Sequence, residues 1–178
     1  MTSAAGTVTE PSPWLCQGDL FSRAPVLYYP DLSQDFVAQL RTGPAMLINH
    51  ECALDKMNRR GDATIERLSF VRIRDVAATP DHRQQLLRSN ATELQPLEAH
   101  YLGHLAGLGE SYVVLSDPYY VPASYFGIET RAFAGLPDGE KRLAMTSHDT
   151  RFGRLTDQSL ALFRRKWIAY WTRLEPVE

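Results

Sequence analysis

Apolar residues along this chain fall mainly in short runs with strand periodicity. Leu68-Ser69-Phe70-Val71-Arg72-Ile73-Arg74 alternates almost every second residue, the period of a half-exposed strand. Val26-Leu27-Tyr28-Tyr29 reads as a short strand stopped by Pro30-Asp31. Ala45-Met46-Leu47-Ile48, led in by Pro44, is apolar throughout, as in a strand covered on both faces. Further strands are expected at His100-Tyr101-Leu102, at Tyr112-Val113-Val114-Leu115, at Tyr119-Tyr120-Val121-Pro122 and from Arg142 to Thr146. Gly107, Gly109, Asp117-Pro118 and Pro137-Asp138-Gly139 mark turns between them. In the Tyr-rich run, the pattern predicts core packing with one exposed ring.

Helical spacing occurs in three places. Phe36, Val37 and Leu40 recur between an Asp/Ser start and Gly43, although a strand also fits so short a run. A second helix covers residues 81–90, with Thr79 expected as N-cap and Pro80 at the first helical position. The third, about residues 156–175, starts at Thr156 or Asp157 and carries Leu160, Phe163, Trp167, Trp171 and Leu174 as a continuous stripe before Pro176. Many short strands with two firm helices predict a mainly β (α+β) fold, a small antiparallel barrel with an inserted short helix and a C-terminal amphipathic helix packed on it. Residues 1–13 read as a flexible leader without periodicity, and 14–178 as a single domain.

Composition narrows the class. The chain has 178 residues, 44% of them apolar and 22% charged, which excludes collagen-like, disordered and coiled-coil proteins. No apolar run reaches the roughly 20 residues of a membrane span. Cys16 and Cys52 are too few for a disulfide framework, so a reducing, cytoplasmic setting is expected. Net charge is −2, but from Arg151 to Arg173 five Arg and Lys166 face only Asp157, a candidate basic patch.

Three features resemble PemK/MazF-like proteins, a family of small SH3-like barrels of the toxin type. They are Gln17-Gly18-Asp19-Leu20-Phe21, then Gly43-Pro44-Ala45-Met46-Leu47-Ile48-Asn49 running into His50-Glu51-Cys52-Ala53-Leu54-Asp55, and the terminal helix. The similarity covers about residues 14–78 and that helix. It implies a toxin-type or toxin-derived module, with metal-independent cleavage of single-stranded RNA as the activity and no cofactor. Such cleavage needs phosphate stabilisation and proton transfer. Arg41 stands nearest the family's arginine, which here is Gly43-Pro44, and His50 and Thr79 are the proton-transfer candidates. The partner is then RNA or a protein, an antitoxin-like chain or a complex subunit, and a homodimer stays open.

Independently of the resemblance, a Gly-Asp pair opening a barrel strand suits a bulge, with the Asp bonding backbone amides. Glu51, Cys52 and Asp55 beside His50 form a cluster of reactive types, and thiol chemistry at Cys52 is a further alternative. His100 and His104 have zinc spacing only if helical, and no metal is expected. Arg164, Arg165 and Lys166, beside Trp167, Tyr170 and Trp171, bind nucleic acid or a partner if exposed, or form a solvated face if the rings pack on the barrel. The alternative to catalysis is therefore an adaptor that uses the barrel rim and the basic helix.

Overall fold

The computed structural model describes residues 7–28, 39–96 and 98–172. Nine strands are found among them: β1 (Val8–Thr9), β2 (Asp19–Tyr28), β3 (Gln39–Leu47), β4 (Arg67–Asp75), β5 (Ala99–Leu105), β6 (Gly109–Pro122), β7 (Ile128–Arg131), β8 (Arg142–Met145) and β9 (Arg151–Leu155). Three helices join them: α1 (Glu51–Leu54), α2 (Asp81–Ser89) and α3 (Asp157–Thr172). Seven strands form one antiparallel sheet in the order β1-β9-β2-β3-β4-β6-β5, while β7 and β8 form a separate ribbon. The sheet curls until its edges nearly meet, where the Thr7 hydroxyl donates to the Leu102 carbonyl. Gly103, at φ +75°, permits that approach, because a Cβ there would lie 2.9 Å from Thr7 Oγ1. The expected mainly β barrel with its C-terminal helix is the fold observed.

The pleat explains why residues 45–48 are apolar without interruption. Successive side chains point to opposite faces, and both faces are covered. Met46 and Ile48 join Leu20, Val71, Val113 and Leu115 inside the barrel, where α3 adds Leu160 and Phe163. Ala45 and Leu47 face the other way and pack with Phe21, Phe70 and Phe126 beneath the β7–β8 ribbon. Phe70 meets Phe21 edge-on at 5.3 Å between ring centroids, a favourable aromatic geometry. α2 lies apart on a smaller cluster of Val76, Leu87, Ala99 and Tyr112.

Several expectations need correction. Residues 39–43 are strand, not helix, paired through β2 from Ala24 to Tyr28; residues 33–38 of that expected helix lie outside the described residues. Val26 and Leu27 belong to the longer β2, and their expected stop at Pro30-Asp31 also lies outside. Asp117-Pro118 is not a turn. Tyr112 to Pro122 is one strand, in which Val114 to Asp117 bulge opposite Arg72 and pairing with β4 resumes at Pro118 opposite Val71. Thr79 does not cap α2, because its hydroxyl donates to Val76 O and Pro80 occupies the N-cap position. Part of the expected leader is ordered: Val8 and Thr9 pair with Leu155 and Arg154. No described helix is long and apolar enough to cross a membrane.

Candidate functional site

At one end of the barrel α3 stands off the sheet and leaves a groove of about 530 Å³. Its floor and near wall come from Gln17, from Ile48-Asn49-His50 at the exit of β3, and from Ser69 of β4 with Pro118 and Tyr120 of β6. Its far wall is α3, through Arg164, Trp167, Ile168 and Trp171. The helix builds this wall because its apolar arc is wider than the barrel can cover. Stepping about 100° per residue, Ser159, Phe163, Lys166 and Ala169 fall on the buried arc, and Arg164, Trp167, Ile168 and Trp171 on the arc beside it. Tyr120, Ile168 and Trp171 are 63%, 58% and 51% exposed, and they are three of the five large hydrophobic residues exposed among the described residues.

The polar side chains of the groove hold one another. Gln17, buried, donates from Nε2 to the Ile48 carbonyl and accepts from Arg164 Nε at 2.7 Å. Arg164 Nη2 is turned inward and lies 3.1 Å from Glu51 Oε1, an ion pair without hydrogen-bond alignment. Asn49 Oδ1 accepts from the Ser69 backbone N–H at 2.6 Å. His50 caps α1, its Nδ1 accepting the Cys52 N–H at 3.2 Å. A backbone N–H only donates, so this bond fixes the ring proton on Nε2.

The structure divides the residues singled out from the sequence. His50 and Arg164 meet at the groove. Arg41 does not join them, because six strand steps from Arg41 to Leu47 span about 20 Å. Thr79 follows β4, whose antiparallel register with β3 sets Leu47 beside Phe70 and carries the chain away from His50. Arg41 and Thr79 thus lie toward one end of the β3–β4 pair and His50 at the other. The reactive cluster disperses: Glu51 faces Arg164, Asp55 pairs with Arg142 at 2.6 Å, and the exposed Cys52 meets His50 through its backbone rather than its sulfur. The basic triad splits as well. Arg165 is exposed, whereas Lys166 is buried and donates from Nζ to Ala99 O at 2.9 Å, burial pulling its pKa down to about 8. Lys166 is therefore no part of a solvated basic face. His100 is buried, its Nε2 3.2 Å from Ser159 Oγ, while His104 is exposed on the same strand. No group of three metal-ligating side chains gathers among the described residues.

A second polar cluster lies under the segment before β2. Asp19 is fully buried and its Oδ2 accepts from Cys16 N at 2.9 Å, the amide bond expected of the Gly-Asp pair. Arg151 Nη1 donates to that same oxygen, to Ser12 O and to Trp14 O, and its Nε and Nη2 go to Asp149. Burial pushes the Asp19 pKa up to about 6 against the pull of Cys16 N–H and Arg151. It also raises the Cys16 thiol, which keeps that sulfur in its unreactive form. This cluster ties the N-terminal segment to β9, and none of its residues lines the groove.

Compared with protein-family models and with curated proteins, the chain gives no match. Sequence reasoning missed Ser69 and Ile168 as groove residues, met Gln17 and Asn49 only as parts of strand motifs, and read Pro118 as a turn. One signal was present: Trp167, Ile168 and Trp171 together make the apolar arc of the helix broader than a single buried stripe requires.

Proposed function

We propose that this chain is a non-catalytic interaction module that holds a segment of a partner protein in the groove between the barrel rim and α3. The observation that carries the reading is the convergence of Tyr120, Ile168 and Trp171, all largely exposed, on one concavity. Large apolar surface gathered in one place marks interaction sites, and aromatic anchors dominate the energetics of such contacts. A ribonuclease built on Arg41, His50 and Thr79 draws no support from this geometry, since a single phosphate must reach all its catalytic groups at once. Arg164 is the one Arg or Lys among the residues lining the groove, so a polyanion with many phosphates finds a single cationic contact there.

Ile168→Glu tests the reading. It is expected to abolish retention of a stoichiometric partner in pull-downs, with the circular dichroism spectrum unchanged, while Arg41→Ala retains that partner. Cleavage of labelled single-stranded RNA in EDTA, lost in Arg41→Ala, overturns the reading and restores the toxin-type nuclease.

A further inference from the structure

The hydrogen-bonding inventory of the groove is one-sided. Its amide and imidazole acceptors are spent, Asn49 Oδ1 on Ser69 N, Gln17 Oε1 on Arg164 and His50 Nδ1 on Cys52 N, which leaves as side-chain acceptors only the Ser69 and Tyr120 hydroxyls, groups that also donate. The donors are not. Arg164 Nη1, Asn49 Nδ2 and His50 Nε2 have no partner among the described residues, and the Trp167 and Trp171 indole N–H groups have none either. A cavity in which charged and neutral donors stand beside exposed rings on both walls complements an apolar group that carries an anionic acceptor.

We infer that the groove captures the free C-terminal carboxylate of a partner chain, with the last apolar side chains seated on Trp171, Ile168 and Tyr120. This rests on the reading of the groove as a protein-binding site and adds the identity of the bound element. A chain end fits better than an internal strand for two reasons. The volume of about 530 Å³ holds a few side chains rather than a long strand. A terminal carboxylate also presents two acceptors to a guanidinium, the pairing that Arg makes best. Glu51 serves as the resident carboxylate: at 3.1 Å from Arg164 it balances the cation until the ligand's carboxylate adds to or displaces it.

The experiment selects, against the full chain, random heptapeptides fused to the C-terminus of a carrier so that their own carboxylate is free. Selected sequences are then synthesised as free acids and as C-terminal amides, and binding is measured by fluorescence anisotropy. Enrichment of apolar and aromatic residues at the last positions is expected. The amides should bind about 10- to 100-fold more weakly, the worth of one charge-assisted contact. Arg164→Gln should erase the difference between acid and amide. Glu51→Gln, which removes the competing carboxylate without touching the donors, should tighten the acid and leave the amide unchanged. Equal binding of acid and amide, lost in Trp171→Ala, overturns the carboxylate inference and leaves the interaction groove standing. No enrichment, or peptides whose binding ignores Trp171→Ala, overturns both. Binding of a small apolar acid such as 4-phenylbutyrate as tightly as the peptides, or preferential retention of single-stranded RNA, overturns the assignment to a chain terminus.

Discussion

The groove and the Asp19–Arg151 cluster are built from the same parts, an arginine fork, a carboxylate and a neighbouring thiol or imidazole, yet they leave those parts in opposite states. Under the N-terminal segment, Arg151 is only 7% exposed and its donors are distributed over Asp19, Asp149, Ser12 and Trp14. In the groove, Arg164 is 35% exposed and keeps Nη1 unspent beside bare aromatic rings. A saturated fork out of water is a fastening, because any ligand would have to displace bonds already made. A partly spent fork beside exposed apolar surface is what the proposed recognition of a partner would use. Residue type does not separate the two; hydrogen-bonding capacity left over at an open surface does.

The sharpest way to break this contrast is Arg151→Ala. It leaves Asp19 buried with one oxygen unpartnered and the other held by Cys16 N alone. Removing one member of a buried pair costs about 3–5 kcal/mol. The urea midpoint should fall accordingly, with the N-terminal segment losing amide protection in hydrogen exchange. A loss near that of a surface substitution would mean that the cluster fastens nothing.

Much of this architecture was legible in the sequence, for physical reasons that can be named. The unbroken apolar run 45–48 announced a strand covered twice, and Tyr119 buried beside Tyr120 exposed follows from the pleat. The Gly-Asp pair announced the amide-bonding carboxylate. Illegible were features set by distant partners. Lys166 reads as a surface cation until the carbonyls of Pro96 and Ala99 are brought 2.9–3.5 Å from its Nζ. Residues 39–43 carry helical spacing but become strand through pairing with β2, tertiary context overriding a short periodicity. For the site, His50 and Arg164 stood out singly, but nothing local joins positions so far apart; the sheet register and the breadth of the apolar arc of α3 do.

A second prediction sharpens the fastening through its titration. Asp19 takes up its proton near pH 6 in the folded protein and near 3.8 when unfolded. Between those values the folded state holds more protons, so Asp19 alone makes stability fall as pH rises. His100 acts in the opposite sense. Burial and the nearby Lys166 hold its folded pKa down to about 3 against 6.5 unfolded, so between those values the unfolded state holds more protons and stability rises with pH. From about pH 4 to 6 the two slopes, each about 1.4 kcal/mol per pH unit, nearly cancel. Asp19→Asn removes one of them. Its stability should climb between pH 4 and 6 by up to about 1.4 kcal/mol per unit more steeply than that of the parent, as read from urea denaturation at pH 4, 5 and 6. Parallel profiles for the two proteins would show that Asp19 is ionised throughout and that burial does not govern it.

The smallest stability effect belongs to Trp171, a ring on which the proposed recognition depends. Trp171 is half exposed, meeting Trp167 at 5.7 Å and Tyr170 at 5.4 Å between ring centroids. Its truncation to Ala opens no enclosed cavity, so the folding cost should stay near 0.5 kcal/mol, the range of surface substitutions. A core aromatic costs about 3–5 kcal/mol. If Trp171→Ala behaved like a core deletion, the ring would be holding α3 to the barrel, and the groove wall would be a fastening of the same kind as Arg151. If it stays near neutral, that half-exposed indole contributes little to folding. An indole that adds so little to the fold is what the proposed groove requires of its wall, and the peptide-binding measurements on the same Trp171→Ala variant then decide whether it binds.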